Sequence, residues 1–222
     1  MRGIIFDLDG TLLDSMPMWS ALDSRFLRMH GIESPPDISE TVKNMTVSQA
    51  AAYYVERFLP GMTPEQIMEP CEQMAAAEYR ERLPLKPGAR EFLSALSERG
   101  IPFGLASVTY RRLLEAALER LQIRHLFRFI LTTEDGFCGK ERPDLFLHGA
   151  ALLNAAPAEC AVIEDALYAA DTAKKAGFYT VGVYDSAAEP EWDAICAVCD
   201  RTAMSLAELN TPAFFAQFHD GR

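Results

Sequence analysis

Gly3-Ile4-Ile5-Phe6-Asp7-Leu8-Asp9-Gly10-Thr11 decides how the rest of the chain is read. Its first four residues are apolar, rich in β-branching and too few for a core helix, so they predict a buried strand ending at Asp7. Runs of the same kind recur at residues 101–106, 129–132, 160–163 and 180–184. The segments between the last four are helix-like. Residues 111–121 place Leu114, Leu118 and Leu121 on one face, and residues 144–153 place Leu145, Phe146, Gly149, Leu152 and Leu153 on an i, i+3, i+4 stripe. Strand and helix in alternation predict a doubly wound α/β core, a parallel sheet covered on both faces.

One interval breaks the alternation. Residues 15–83 hold no run that reads as a strand, only helical patterns at 19–29, 47–58 and 64–82. Gly31 ends the first, Pro35-Pro36 lies in the loop after it, and Pro60-Gly61 separates the second from the third. Leu83-Pro84-Leu85-Lys86-Pro87-Gly88 reads as a hinge back to the core, with Pro87 suited to a helix start. The expected organisation is a core of residues 1–14 and 85–222, with a helical domain of residues 15–84 inserted after the first strand.

The chain has 222 residues, 49% hydrophobic and 24% charged, the balance of a globular protein. Its formal charge of -11, from 21 Lys and Arg against 32 Asp and Glu, lacks the basic footprint of a phosphate-backbone binder, so no nucleic-acid partner is expected. An anionic small molecule needs a local cation to offset that charge. No uncharged apolar stretch approaches the ~18 residues of a membrane helix, and Asp7 and Asp9 stand where a secretion signal would keep its apolar middle. No membrane partner is expected. Five cysteines, an odd number, suit a reducing compartment, and the expected location is cytoplasmic. Cys196 and Cys199 form one Cys-x-x-Cys pair, but Cys71, Cys138 and Cys160 are scattered singly, and a structural zinc site needs four ligands. They read as buried or incidental thiols. Nothing in the chain specifies an oligomeric state.

In an open parallel sheet ligands gather at the carboxyl ends of the strands, near the point where strand order reverses. Four of the five expected strands deliver polar residues there: Asp7 and Asp9, Ser107 and Thr109, Lys140 in Gly139-Lys140-Glu141-Arg142-Pro143-Asp144, and Glu164-Asp165. Carboxylates crowded together repel unless a cation sits among them, and all-oxygen ligation favours magnesium. A carboxylate can attack phosphorus to give an acyl phosphate. Phosphoryl transfer then needs charge neutralisation on the equatorial oxygens, from a metal, an ammonium and a hydroxyl. Lys140 and Ser107 fit the last two roles. A second carboxyl must protonate the leaving oxygen and later deprotonate water. Asp9 is placed for that, because a turn at Gly10 can fold it back over the same site.

Asp7-x-Asp9-Gly10-Thr11, followed in order by Ser107, Lys140 and Glu164-Asp165, resembles the haloacid dehalogenase superfamily over nearly the whole chain. The position of the insert and the Gly-Lys-x-x-Pro-Asp loop look most like its β-phosphoglucomutase-like phosphatases. The resemblance implies a Rossmann-like core under an α-helical cap, with Asp7 as nucleophile and Asp9 as general acid and base. It implies that Ser107 holds the transferring phosphoryl group and that Lys140 steadies both that group and Asp7. Magnesium would take the Asp7 side chain, the Asp9 main-chain carbonyl and Asp165, with Glu164 as a further ligand. The superfamily's dehalogenases and phosphonate-cleaving members lack the second aspartate, so Asp9 favours phosphate esters. A cap loop in these relatives touches substrate through a lysine, matched by Lys43; Thr109 and Gly10 are further candidates for substrate binding. The related mutases place an arginine four residues after that lysine, where this chain has Val47, which favours a phosphatase over a mutase. Glu141 stands where relatives often have proline.

The expected function is therefore a magnesium-dependent phosphatase for a small phosphorylated metabolite, such as a sugar phosphate. The alternatives are a phosphomutase, or a non-catalytic protein that senses a phosphorylated ligand. Several residues carry a plain structural reading beside the functional one. Glu164 and Asp165 suit the cap of a helix starting at Ala166. Thr109 suits either a helix cap or substrate contact. Met16, Met18 and Trp19 read as core or as the cap interface, Asp14 and Asp23 as hinge and surface, and the four histidines show no ligand spacing.

Overall fold

A computed structural model describes residues 1–42 and 45–218. Six strands form one sheet: β1 (Gly3–Phe6), β2 (Phe103–Ser107), β3 (Ile130–Thr132), β4 (Cys160–Glu164), β5 (Tyr179–Val183) and β6 (Arg201–Ala203). Their order is β3-β2-β1-β4-β5-β6, and every pairing is parallel. The stretch that opens the chain lies at the centre: Ile5 pairs with Gly104 on one side and Val162 on the other. Side chains alternate across a strand, and here both faces are buried. Ile4, Phe6, Ala161 and Ile163 enter one apolar cluster, while Ile5, Cys160 and Val162 enter a second.

Four helices make up the insert after β1: α1 (Met16–Met29), α2 (Ile38–Val42), α3 (Val47–Arg57) and α4 (Pro64–Glu81). Local chemistry fixes two of their starts. Thr46 with Gln49, and Thr63 with Gln66, form reciprocal side-chain and backbone caps ahead of α3 and α4. The two linkers to this helical unit lie side by side: Leu13 bridges Leu85, and the Asp14 amide donates to the Pro84 carbonyl at 3.0 Å. On the sheet, α5 (Ala89–Glu98) and α6 (Arg111–Arg120) cover the first cluster through Phe92, Leu96, Leu114 and Leu118. Helices α7 (Asp144–Leu152) and α8 (Leu167–Lys175) cover the second through Leu145, Phe146, Ala169 and Ala173. Each fully buried large side chain of this kind contributes about 1.5–3 kcal/mol. The chain closes with α9 (Trp192–Val198) and α10 (Pro212–Phe215).

The α/β doubly wound fold with an inserted helical cap matches the sequence reading. Three local differences have plain causes. Strand β2 starts at Phe103, not residue 101: Pro102 has no amide to donate, and only its carbonyl serves the sheet, accepting from Ile4 at 3.1 Å. Helix α5 starts at Ala89, with Gly88 as its N-cap at φ 79°, so Pro87 lies before the helix and not at its first position. Strand β6 carries Arg201 and Thr202 half-buried at the sheet edge, too short and too polar to leave a pattern. No helix among the described residues is long and apolar enough to cross a membrane.

Candidate active site

The chain leaves β1 to build β2 and β3 on one side, then returns to build β4 on the other. The crevice above the carboxyl ends of β1 and β4 is where such sheets take ligands. Register does the rest. Phe6 pairs with Ile163, and the Asp7 amide donates to the Ile163 carbonyl at 2.9 Å. Oxygens of Asp7, Glu164 and Asp165, all buried, consequently lie within 4.8 Å of one another. Lys140, 2% exposed, donates to Asp7 Oδ1 and, at 2.5 Å, to Glu164 Oε1. Ser107 ends β2 and is buried; its Oγ accepts from the Thr109 amide at 3.1 Å. Gly10, at φ 90°, leaves room for Asp165, since a Cβ there would stand 2.2 Å from its Oδ2. The Gly10 amide donates to the Leu13 carbonyl at 2.9 Å, so what Gly10 gives the site is space. Thr11 Oγ1 donates to Asp165 Oδ1 at 2.8 Å.

Electrostatics set this group apart from an ordinary ion-pair cluster. Burial, with the charge of Asp7, pushes Glu164 up to about 7 even though Lys140 pulls the other way. Burial, then Asp7 and Glu164, hold Asp165 well above the usual carboxylate range. Burial opposes the charge on Lys140, but Asp7 and Glu164 outweigh it and keep the ammonium protonated. Three buried acids stand together with one lysine, which is paired to Asp7 and Glu164 but not to Asp165, a set short of positive charge and made of oxygen donors alone. That donor set fits magnesium. Glu164 has a second task, because its Oε2 accepts the Asp165 and Ala166 amides at 3.0 and 3.1 Å ahead of α8. Helix α8 starts after Ala166, which carries no side-chain cap, so Glu164 ties down the turn before the helix and does not cap it as the sequence suggested.

Asp9 turns away from those acids toward the helical insert. Its carboxylate accepts from Ser15 Oγ at 2.6 Å, from Thr109 Oγ1 at 2.7 Å and from the Tyr79 hydroxyl. Tyr79 comes from α4 and itself accepts from Trp19 Nε1 at 3.1 Å. Burial and the neighbouring charge of Asp7 push Asp9 up, while the three hydroxyl donors work in the opposite direction. An acid held above its ordinary range and aimed at an insert-covered cavity suits proton donation. Thr109 is not the cap of α6: Tyr110 holds that position without a side-chain bond, and the Thr109 hydroxyl is on Asp9.

A cavity of about 160 Å³ separates sheet and insert. Asp7, Asp9, Ser107, Thr109, Lys140, Glu164 and Asp165 line its floor, and Met16, Trp19, Val47 and Met68 are among the insert residues above. The structure therefore brings together every sequence-nominated residue except Lys43, which lies outside the described residues. Met16 and Trp19 face the cavity, whereas Met18 packs against the core. Asp23, expected at the surface, instead lines the cavity and accepts from the Tyr54 hydroxyl at 2.6 Å. Residues that sequence reasoning passed over are Ser15, Tyr79 and Tyr168. Each reads locally as a helix or cap residue, and only long-range packing reveals its neighbours.

Fold and site together define an α/β enzyme with a carboxylate-lined centre under a helical cap. Residues 1–177 match the haloacid dehalogenase-like hydrolases, and the chain belongs to that family. Hexitol phosphatase B of Escherichia coli (strain K12) is 28% identical over 210 residues, 92% of each chain. The β-phosphoglucomutase of Bacillus subtilis (strain 168) is 29% identical over 190 residues, covering 82% of this chain and 83% of that one. The crystal structure of CbbY from Rhodobacter sphaeroides in complex with phosphate shares the fold, at TM-score 0.84 and 20% identity over 97% of this chain and 99% of that one. The protein is a hydrolase.

Proposed function

We propose that this hydrolase is a magnesium-dependent phosphatase acting on a small phosphorylated metabolite of the sugar or sugar-alcohol kind, through a phosphoryl group bonded to Asp7. The observation that carries the reading is the pairing of two differently placed aspartates. Asp7 lies with Lys140 among the buried acids, and Asp9 lies two residues on with three hydroxyl donors and a raised tendency to hold its proton. In the first step an Asp7 oxygen attacks phosphorus, the ester P–O bond breaks, and the leaving oxygen takes the proton of Asp9. In the second, water attacks the phosphoryl group, Asp9 takes back a proton, and inorganic phosphate leaves with Asp7 restored. Ser107 and Lys140 hold the phosphoryl oxygens, and Lys140 also orients Asp7. The metal would be held by the Asp7 and Asp165 side chains and the Asp9 main-chain carbonyl, with Glu164 beside them. When bound, it supplies charge neutralisation between an anionic carboxylate and an anionic phosphate.

Val47 faces the cavity where the related mutases carry an arginine, which favours hydrolysis over returning a second phosphate to the site. The complete set of Asp7, Asp9, Ser107, Lys140 and Asp165 favours an enzyme over a ligand sensor. The paired linkers at Asp14 and Pro84 support domain limits of 1–14 with 85–222 for the core and 15–84 for the cap. Five free thiols support a cytoplasmic location. The test is hydrolysis of an aryl phosphate with magnesium, comparing the wild type with Asp7→Asn. The variant is expected to lose at least about 1,000-fold in kcat, and equal turnover by both proteins overturns the assignment.

A further inference from the structure

Helix α1 sends a stripe into the cavity: Met16, Trp19, Ser20 and Asp23, at i, i+3, i+4 and i+7. It begins beside Asp9, where Ser15 donates to that carboxylate. From Ser15 to Asp23 the helix axis advances ~12 Å, so Asp23 lines the cavity about that far along α1 from the residue that touches Asp9. There its Oδ1 accepts from the Tyr54 hydroxyl at 2.6 Å. Among the described residues Tyr54 is its hydrogen-bond donor, and no ion pair among them includes it. The insert side of the cavity is largely apolar, with Val42, Met45, Ile67 and Met68 on its wall beside the hydroxyls of Ser20 and Ser39. The nearby Cys71 thiol, pushed up to about 12 by burial and then by the charge of Asp23, stays neutral.

A carboxylate with no cation beside it among the described residues is costly to bury, and leucine or asparagine would fill the space with less penalty. What Asp23 offers is acceptor capacity. Tyr54 spends its only proton on Oδ1, which leaves Asp23 Oδ2 and the lone pairs of the phenolic oxygen, all of them acceptors. A group docked there must bring the hydrogens. A second phosphate brings none at neutral pH and carries charge of the same sign.

We propose that Asp23 and Tyr54 select the leaving group: they accept hydrogen bonds from donors at its distal end, so that the substrate is a monophosphate of a polyhydroxylated molecule and not a bisphosphate. The inference rests on the phosphatase reading and deepens it. An ammonium is the other donor with the same complementarity, and a matched substrate separates the two.

The experiment measures kcat/KM with magnesium for hexitol 6-phosphate, hexyl phosphate, 6-aminohexyl phosphate and a hexose 1,6-bisphosphate. It compares the wild type, Asp23→Asn, Asp23→Leu and Tyr54→Phe, with thermal melting as the folding control. Wild type is expected to prefer hexitol phosphate, and Asp23→Leu to lose about tenfold or more on it while changing hexyl phosphate by less than about threefold. A preference for the aminohexyl ester, lost in the same variant, supports the acceptor pair with an ammonium as its donor. Equal losses on hexitol and hexyl phosphate, no loss on either, or a preference for the bisphosphate overturns the proposal. Asp7→Asn runs in parallel. If it stays active the phosphatase reading has failed, whereas if it is dead and the Asp23 variants do not discriminate, only the specificity assignment has failed.

Discussion

Asp23 is a carboxylate that folding would proceed better without. Burial pushes it up to about 6 from the usual 3.8, with the Tyr54 hydrogen bond working the other way. A carboxyl that ionises less readily in the folded protein than in the unfolded chain holds its proton more tightly in the native state, so its ionisation lowers stability. That loss is complete above about pH 6 and fades as pH falls toward 3.8, where both states are protonated. Asp23→Asn keeps the acceptor for Tyr54 and removes the titration. It should raise stability at pH 8 by about 1–3 kcal/mol, the lower end reflecting partial solvent access, and by little at pH 4. Urea denaturation at the two pH values checks this, and a variant weaker than wild type at pH 8 contradicts it. Gly10 is the opposite case, where a residue is fixed by geometry alone. With φ at 90° and Asp165 Oδ2 2.2 Å from where a Cβ would stand, Gly10→Ala should cost at least about 1–3 kcal/mol and displace Asp165.

Helix α4 reaches across the hinge region to the chemistry of the core. It rests on α6, where Arg120 Nε donates to the Tyr79 carbonyl at 3.2 Å, and the Tyr79 hydroxyl goes to Asp9. Tyr79→Phe removes that donor while leaving the buried ring in place. The expected loss in kcat is about tenfold for alkyl phosphates, whose leaving oxygen needs a proton, and much smaller for nitrophenyl phosphate, whose leaving group does not. Equal losses on both would mean that Tyr79 only packs. Why this helix could be read from the sequence and its role could not is a matter of range. Thr63 and Gln66 cap α4 from three residues apart, a local signal, whereas Tyr79 finds Asp9 across seventy positions of sequence. Asp7, Ser107 and Asp165 were legible because strand ends of a parallel sheet converge whatever the intervening chain does, and Lys140, in the loop well past β3, through the Gly-Lys-x-x-Pro-Asp motif that carries the family resemblance. Strand β6 was not, since three edge residues with two polar side chains carry no period to detect.

At the scale of the whole molecule, the sheet order converts three distant segments into one charge-dense centre. Folding brings Asp7, Glu164 and Asp165 within 4.8 Å, with Lys140 paired to the first two. Without a further cation, the native state carries the cost of burying these acids and then their mutual repulsion, which together push Glu164 and Asp165 up. A divalent ion that binds only the folded chain stabilises it by about 2.7 kcal/mol at one hundred times its dissociation constant. For a chain of this length that is a rise of about 5–10 °C in Tm. Asp165→Asn should respond with the opposite pattern. In chelator it gains stability over wild type, because one buried acid is gone while Thr11 keeps an oxygen to donate to. With magnesium it gains little more, because a ligand is missing. The order of the two proteins on a melting curve is then expected to reverse between chelator and saturating magnesium. If magnesium raises the Tm of Asp165→Asn as far as that of wild type, the ion binds elsewhere, and the acids at the β1–β4 crevice do not hold it.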